Sequence, residues 1–161
     1  MDEKFEKLKI ESIIESIIES GIESMIESRM KLRPHHPLCL ILFNPEGHSE
    51  MYTKIMNIMI EYLVANPAQE IILSPNLDLI CDFCPHKNAE KMDNPVCIKE
   101  EKVQVITGNI LKLTGLKVGE QMPWENLRQR IVDNIITNGK FSDACGSCSY
   151  FEQCKFEASK F

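Results

Sequence analysis

The 161-residue sequence has no glycine-rich phosphate loop, no G-x-S-x-G elbow and no G-x-G-x-x-G turn, which removes the usual NTPase, hydrolase and dinucleotide-enzyme readings. It also lacks the C-x3-C-x2-C run that binds the catalytic cluster of radical enzymes, so radical chemistry is not implied. Long apolar runs are missing: the longest, Leu38 to Phe43, cannot span a bilayer, and Met1-Asp2-Glu3-Lys4 is no basic lead-in to a targeting segment. Positive charge is in deficit. Eighteen Lys and Arg against 24 Asp and Glu leave a net charge of −6 and give no electrostatic footprint for nucleic acid. Aromatics are only 7 %, with a single Trp, while eight Met point to an adaptable core.

What the chain does have is seven cysteines, six of them in two matching triads. Cys81, Cys84 and Cys97 form a C-x2-C followed by a third thiol. Cys145, Cys148 and Cys154 form C-x2-C-x5-C. Two residues between cysteines let both sulfurs of one tight turn face a single centre, as metal and cluster sites require. A chain of this length buries a core without covalent staples. The odd count, the spacing and the missing leader argue against a disulfide framework and for a reducing compartment, so a cytoplasmic protein is expected.

The seventh thiol, Cys39, ends Arg33-Pro34-His35-His36-Pro37-Leu38-Cys39. A [4Fe–4S] cluster commonly takes three thiolates close in sequence and a fourth from elsewhere. One arrangement sets Cys39 with Cys81, Cys84 and Cys97, leaving Cys145, Cys148 and Cys154 to a site completed by His, an exogenous ligand or substrate. The other joins both C-x2-C units in one site and leaves Cys39, Cys97 and Cys154 to redox or packing roles. Zinc competes, because two distant C-x2-C units also suit a tetrahedral structural site.

His35 and His36 are candidate ligands or acid–base groups, although only one is expected to reach a given centre. Arg33 is a candidate to pair with a carboxylate or to offset the charge of a thiolate-ligated cluster. His86, after Cys84-Pro85, reads as a polar loop residue and His48 as part of a turn. Asp78, Asp82, Asp93 and Asp143 flank the cysteine loops, where turn formation is their ordinary role.

Residues 1–29 repeat Glu-Ser with apolar pairs every four residues, which predicts an amphipathic helix carrying −4 of the net charge, eight acids against four bases. It is expected to lie outside the main domain, to pack on it or to mediate self-association, and to contribute nothing to the site. The domain of residues 30–161 is expected to be α+β, predominantly helical with a small β element, its cysteine-rich loops around one or two metal centres. Helices are predicted after Pro37, from the Ser49 cap to Asn66-Pro67, from Lys99 to a stop near Gly115, from Pro123 to Asn138-Gly139, and between Cys148 and Cys154. Strands are predicted at Glu70 to Leu73 and Leu77 to Ile80. Asp82 to Pro95 reads as loop.

At Met30-Lys31-Leu32-Arg33-Pro34-His35-His36-Pro37-Leu38-Cys39 the chain resembles an uncharacterised prokaryotic family of predicted iron–sulfur binding proteins, domain of unknown function 1284. Gly47-His48-Ser49, Ile80-Cys81-x2-Cys84-Pro85, Leu113 to Glu120, Trp124 and Cys145-Gly146-x-Cys148 through Cys154 extend the likeness over about residues 30–155. The resemblance implies a cluster and supplies no reaction. The leading expectation is a small [4Fe–4S] protein acting with a redox partner protein in electron transfer or redox sensing. The alternatives are an enzyme with an open iron site and His35 or His36 as acid or base, and a zinc-stapled structural or adaptor domain.

Overall fold

Three short strands form one sheet in a computed structural model that describes residues 30–87 and 96–161, together with Ser12 and Ser16. Apart from Ser12 and Ser16, the predicted helix over residues 1–29 lies outside the described residues, as does the 88–95 part of the predicted loop with Asp93. β1 (Met30–Leu32) runs parallel to β2 (Glu70–Leu73), and β3 (Gln121–Pro123) pairs antiparallel on the other side. Met30 opposes Ile71, Leu32 opposes Leu73 and Ile72 opposes Gln121. In β1 Met30 and Leu32 are buried while Lys31 is exposed, the alternation of a half-covered strand.

The crossover from β1 to β2 contains α1 (His36–Ile41), with Pro37 in its first turn, and α2 (Glu50–Ala65). The Ser49 hydroxyl accepts the Tyr52 N–H at 3.2 Å and so caps α2. The core face of α2 presents Ile55, Met56, Met59 and Leu63. Residues 77–80 do not form a strand. The Asp78 carboxylate accepts the Cys81 N–H at 3.2 Å and starts the short α3 (Leu79–Asp82), so a side-chain cap overrides the alternating apolar pattern.

α4 (Glu100–Thr114) ends on Gly115, which adopts φ +72°, a left-handed conformation that suits glycine as a helix stop. α5 (Trp124–Ile131) follows Pro123 and continues as a π-helical turn, Val132–Ile136, in which the Thr137 N–H and hydroxyl both donate to the Val132 carbonyl. α6 (Phe141–Cys145) and α7 (Phe151–Ala158) complete the chain. The fold is therefore α+β and mainly helical, with β1, β3, α3 and α6 the elements not expected from sequence. No described helix is long and apolar enough to cross a membrane. The core of Leu32, Leu38, Met56, Ile110, Leu127 and Ile135 lies where α1 packs on α5 and α4 on the π-helical turn.

Candidate metal centre

Each cysteine is delivered by local backbone geometry. The Cys84 N–H donates to the Cys81 carbonyl at 3.1 Å, and the Cys148 N–H to that of Cys145 at 2.9 Å, so both C-x2-C units close the same tight turn. At the second turn a Cβ on Gly146 would stand 2.6 Å from the Ser142 carbonyl oxygen, which reserves the position for glycine. Cys97 comes to the first turn through an antiparallel bridge with Lys87, reinforced by the Ile98 N–H on the His86 carbonyl at 2.8 Å. Cys39 rides on α1 and Cys154 on α7.

All seven cysteines and all four histidines line one cavity of about 150 Å³. Every thiol is free. Burial pushes the Cys39 thiol well above its ordinary value, and repulsion from Cys145, Cys154 and Cys148 adds to the rise. Cys39 thus keeps electrostatic company with the second triad, whereas one arrangement drawn from the sequence set it with Cys81, Cys84 and Cys97. α1 crosses α5 in the core and carries its thiol toward α6 and α7, a tertiary placement that spacing does not encode. Burial raises Cys81 and Cys145 to about 12 and Cys154 to about 11, and Asp78 adds to the rise at Cys81. Burial also raises Cys84, against the His86 N–H, with Cys97 nearby. These couplings group Cys39 with Cys145, Cys148 and Cys154, and Cys84 with Cys97 and its turn partner Cys81, as two adjoining parts of one cavity, with Tyr150 beside both Cys84 and Cys148.

The second part has polar company. His36 Nδ1 lies 2.5 Å from Asp78 Oδ2, and both side chains are buried. Asp78 also accepts the Arg33 N–H at 2.8 Å. Burial alone would raise the Asp78 carboxyl, but the His36 ring and the two backbone N–H donors outweigh it and hold it below the ordinary carboxylate value. In the tautomer whose Nδ1–H donates to the Asp78 carboxylate, His36 Nε2 carries the lone pair that can bind a metal or a proton. Ligand atoms of His36, Asp78 and Cys81 all lie within 4.8 Å of one another. The His35 ring packs 4.2 Å from that of His36, and its Nδ1 is 3.4 Å from the Thr107 hydroxyl. Burial, with His36 and Arg33 beside it, holds His35 well below the usual histidine value.

Arg33 does pair with a carboxylate. Its Nη1 and Nη2 donate to Glu100 at 3.1 and 2.6 Å, and Cys81 and Cys97 contribute to its charge environment. His48, read from sequence as a turn residue, is stacked between Tyr52 at 4.7 Å and Tyr150 at 4.0 Å and joins α2 to the chain just before α7. Sequence reasoning did not find this sandwich, and it left Asp78 as a turn former; only the residues' proximity to Cys81 and Cys148 in the chain pointed to them.

The donor set is that of a soft metal centre. Thiols raised by burial and mutual repulsion ionise near neutral pH only with a cation among them, and thiolate suits iron–sulfur clusters and zinc alike. A family model described as a protein of unknown function (DUF1284) matches residues 47–154. No curated protein and no solved structure matches the chain.

Proposed function

The chain belongs to the DUF1284 family of proteins of unknown function, and from that premise we propose that it is an iron–sulfur protein whose cluster serves electron transfer or redox sensing. The observation that carries the reading is the convergence of seven unpaired thiols, from residues 39 to 154, on one cavity. Cys39, Cys145, Cys148 and Cys154 supply the four thiolates of a [4Fe–4S] centre. When bound, that centre exchanges single electrons. The chain's own part is to bury the thiolates, which tunes potential through exposure and charge, and to exclude water from them.

A second reading, an enzyme, is favoured by the His36–Asp78 pair beside Cys81. Three thiolates from Cys81, Cys84 and Cys97 leave one ligand position open to a substrate. His36 Nε2 then holds or delivers a proton while Asp78 fixes the ring.

Anaerobic purification followed by iron and acid-labile sulfide analysis and an absorption spectrum tests both readings. A brown protein containing iron and sulfide is expected. A colourless protein loaded with stoichiometric zinc would overturn both in favour of a zinc-stapled domain.

A further inference from the structure

The four thiols of the Cys39 group are not anchored alike. Cys39 is carried by α1 and Cys145 ends α6, both of which bury side chains in the core, and the Cys148 N–H is held by the Cys145 carbonyl. Cys154 rides on α7, in which no residue is buried. Indeed none is from Gly146 to Phe161.

Little fastens that segment to the rest. Among the described residues no backbone hydrogen bond joins residues 150–161 to the chain before Cys148. What holds it is peripheral: the Tyr150 ring on His48 at 4.0 Å, the Phe151 ring on Phe141 at 5.2 Å, the Asn44 amide on the Glu157 carboxylate at 3.1 Å and the Arg128 guanidinium 5.9 Å from the Phe161 ring. Phe151 and Ala158 cover the core only in part. Yet Tyr150 and Cys154 line the cavity together with Cys39, so the segment is one of its walls. A segment with few buried apolar contacts opens on its own, at less cost than the whole fold.

From this we infer that residues 150–161 form a flap, the gate through which metal enters and leaves the cavity, with Cys154 as its latch. Lifting the flap uncovers Cys39, Cys145 and Cys148 and leaves α4 and α5 in place. One thiolate–metal bond breaks, the freed Cys154 thiolate takes a proton from water, and a solvent or chelator ligand takes its position; no electron moves. Cys154 is the only soft ligand in the segment, so its return to the metal is what ties α7 down. The inference rests on the proposed metal corner for what closes the flap; the opening rests on the packing of α7 alone.

Hydrogen–deuterium exchange read by mass spectrometry on the full-length protein, anaerobically purified and again after stripping with a chelator, tests it. In stripped protein the α7 amides should exchange at least about tenfold faster than those of α4 and α5. With metal bound they should slow by about tenfold or more, α4 and α5 changing less. Glu157→Ala removes the tie to Asn44 from a side chain outside the core, so the rest of the chain folds as before. It should speed loss of metal to an external chelator by about twofold or more, with metal content as purified unchanged. Equal exchange of α7, α4 and α5 in stripped protein, equal protection of α7 with and without bound iron, or a wild-type rate of metal loss from Glu157→Ala would each overturn the gate and leave the cluster reading standing. Zinc in place of iron and sulfide, with the same slowing of α7, would instead sink the cluster reading and leave the gate standing.

Discussion

His36 Nδ1 and Asp78 Oδ2 meet at 2.5 Å although 42 residues separate them, and the contact locks α1 to the cap of α3. The same carboxylate holds the Arg33 and Cys81 N–H groups. One side chain therefore sets the end of β1, the tautomer of His36 and the start of the first cysteine turn.

That pairing is measurable as a coupling energy. Asp78→Asn and His36→Gln should each destabilise the protein to denaturant, and the double variant should lose less than the sum of the two, with an interaction of about 0.5–3 kcal/mol. Strict additivity would mean that the contact contributes nothing.

The grouping of thiols predicts which variants behave alike. Cys39→Ala, Cys145→Ser, Cys148→Ser and Cys154→Ser should produce one common change in visible absorption and in electron paramagnetic resonance, because a hydroxyl or methyl is a far poorer soft-metal ligand than a thiolate. Cys97→Ser should produce a different one. Cys39→Ala matching Cys97→Ser instead would return Cys39 to the first triad.

Thiols raised by burial make the metal-free protein sensitive to alkali. In the folded state Cys81 and Cys145 titrate at about 12 and Cys154 at about 11, above the ordinary 9.0. The folded state thus holds protons that the unfolded state has released. That stability is fully present below about pH 9 and is lost as pH rises toward the folded values, by about 1.4 kcal/mol per pH unit for each thiol. Chelator-stripped protein should show this slope in urea unfolding. Metal-loaded protein, its thiolates already formed, should not.

The His48 sandwich predicts a structural cost of its own. His48→Ala removes two aromatic stacks, each contributing about 0.5–1.5 kcal/mol beyond area burial, and should lower the melting temperature and the near-ultraviolet circular dichroism together. His48→Phe keeps the stack and should recover most of both. Equal losses in the two variants would point to a role for the ring nitrogens rather than the stack.

Residues 1–29 contain no Cys or His, and β1 begins at Met30, already paired with Ile71. A chain starting at Met30 should therefore bind the same amount of iron per protein. A soluble, folded 30–161 chain without iron would show that the repeat region belongs to the site.

Much of the helical part was legible because capping chemistry is local: Ser49 starts α2, Gly115 stops α4, and Glu70 to Leu73 forms the strand its residues predict. The candidate ligands were legible as residue types and spacings. Their partition was not, since the company of Cys39 depends on how α1 crosses α5, a long-range packing decision. Asp78 misled for the opposite reason. Its apolar neighbours alternate like a strand, and one hydrogen bond to Cys81 N–H outweighs that pattern. The three-residue strands β1 and β3 are too short to leave a periodic signal and exist because β2 pairs with both.

The electrostatic coupling of Cys39 to Cys154 also orders events during synthesis. Cys39 leaves the ribosome long before Cys154 is made, and a four-thiol corner drawn from both cannot close until residue 154 has emerged. Until then the early thiols are exposed on a nascent chain whose partners do not yet exist, open to oxidation or to stray metal. A metal held by all four thiols would therefore load only after residue 154 has emerged, and translation pauses upstream of Cys145 would lengthen the period in which the thiols are unprotected.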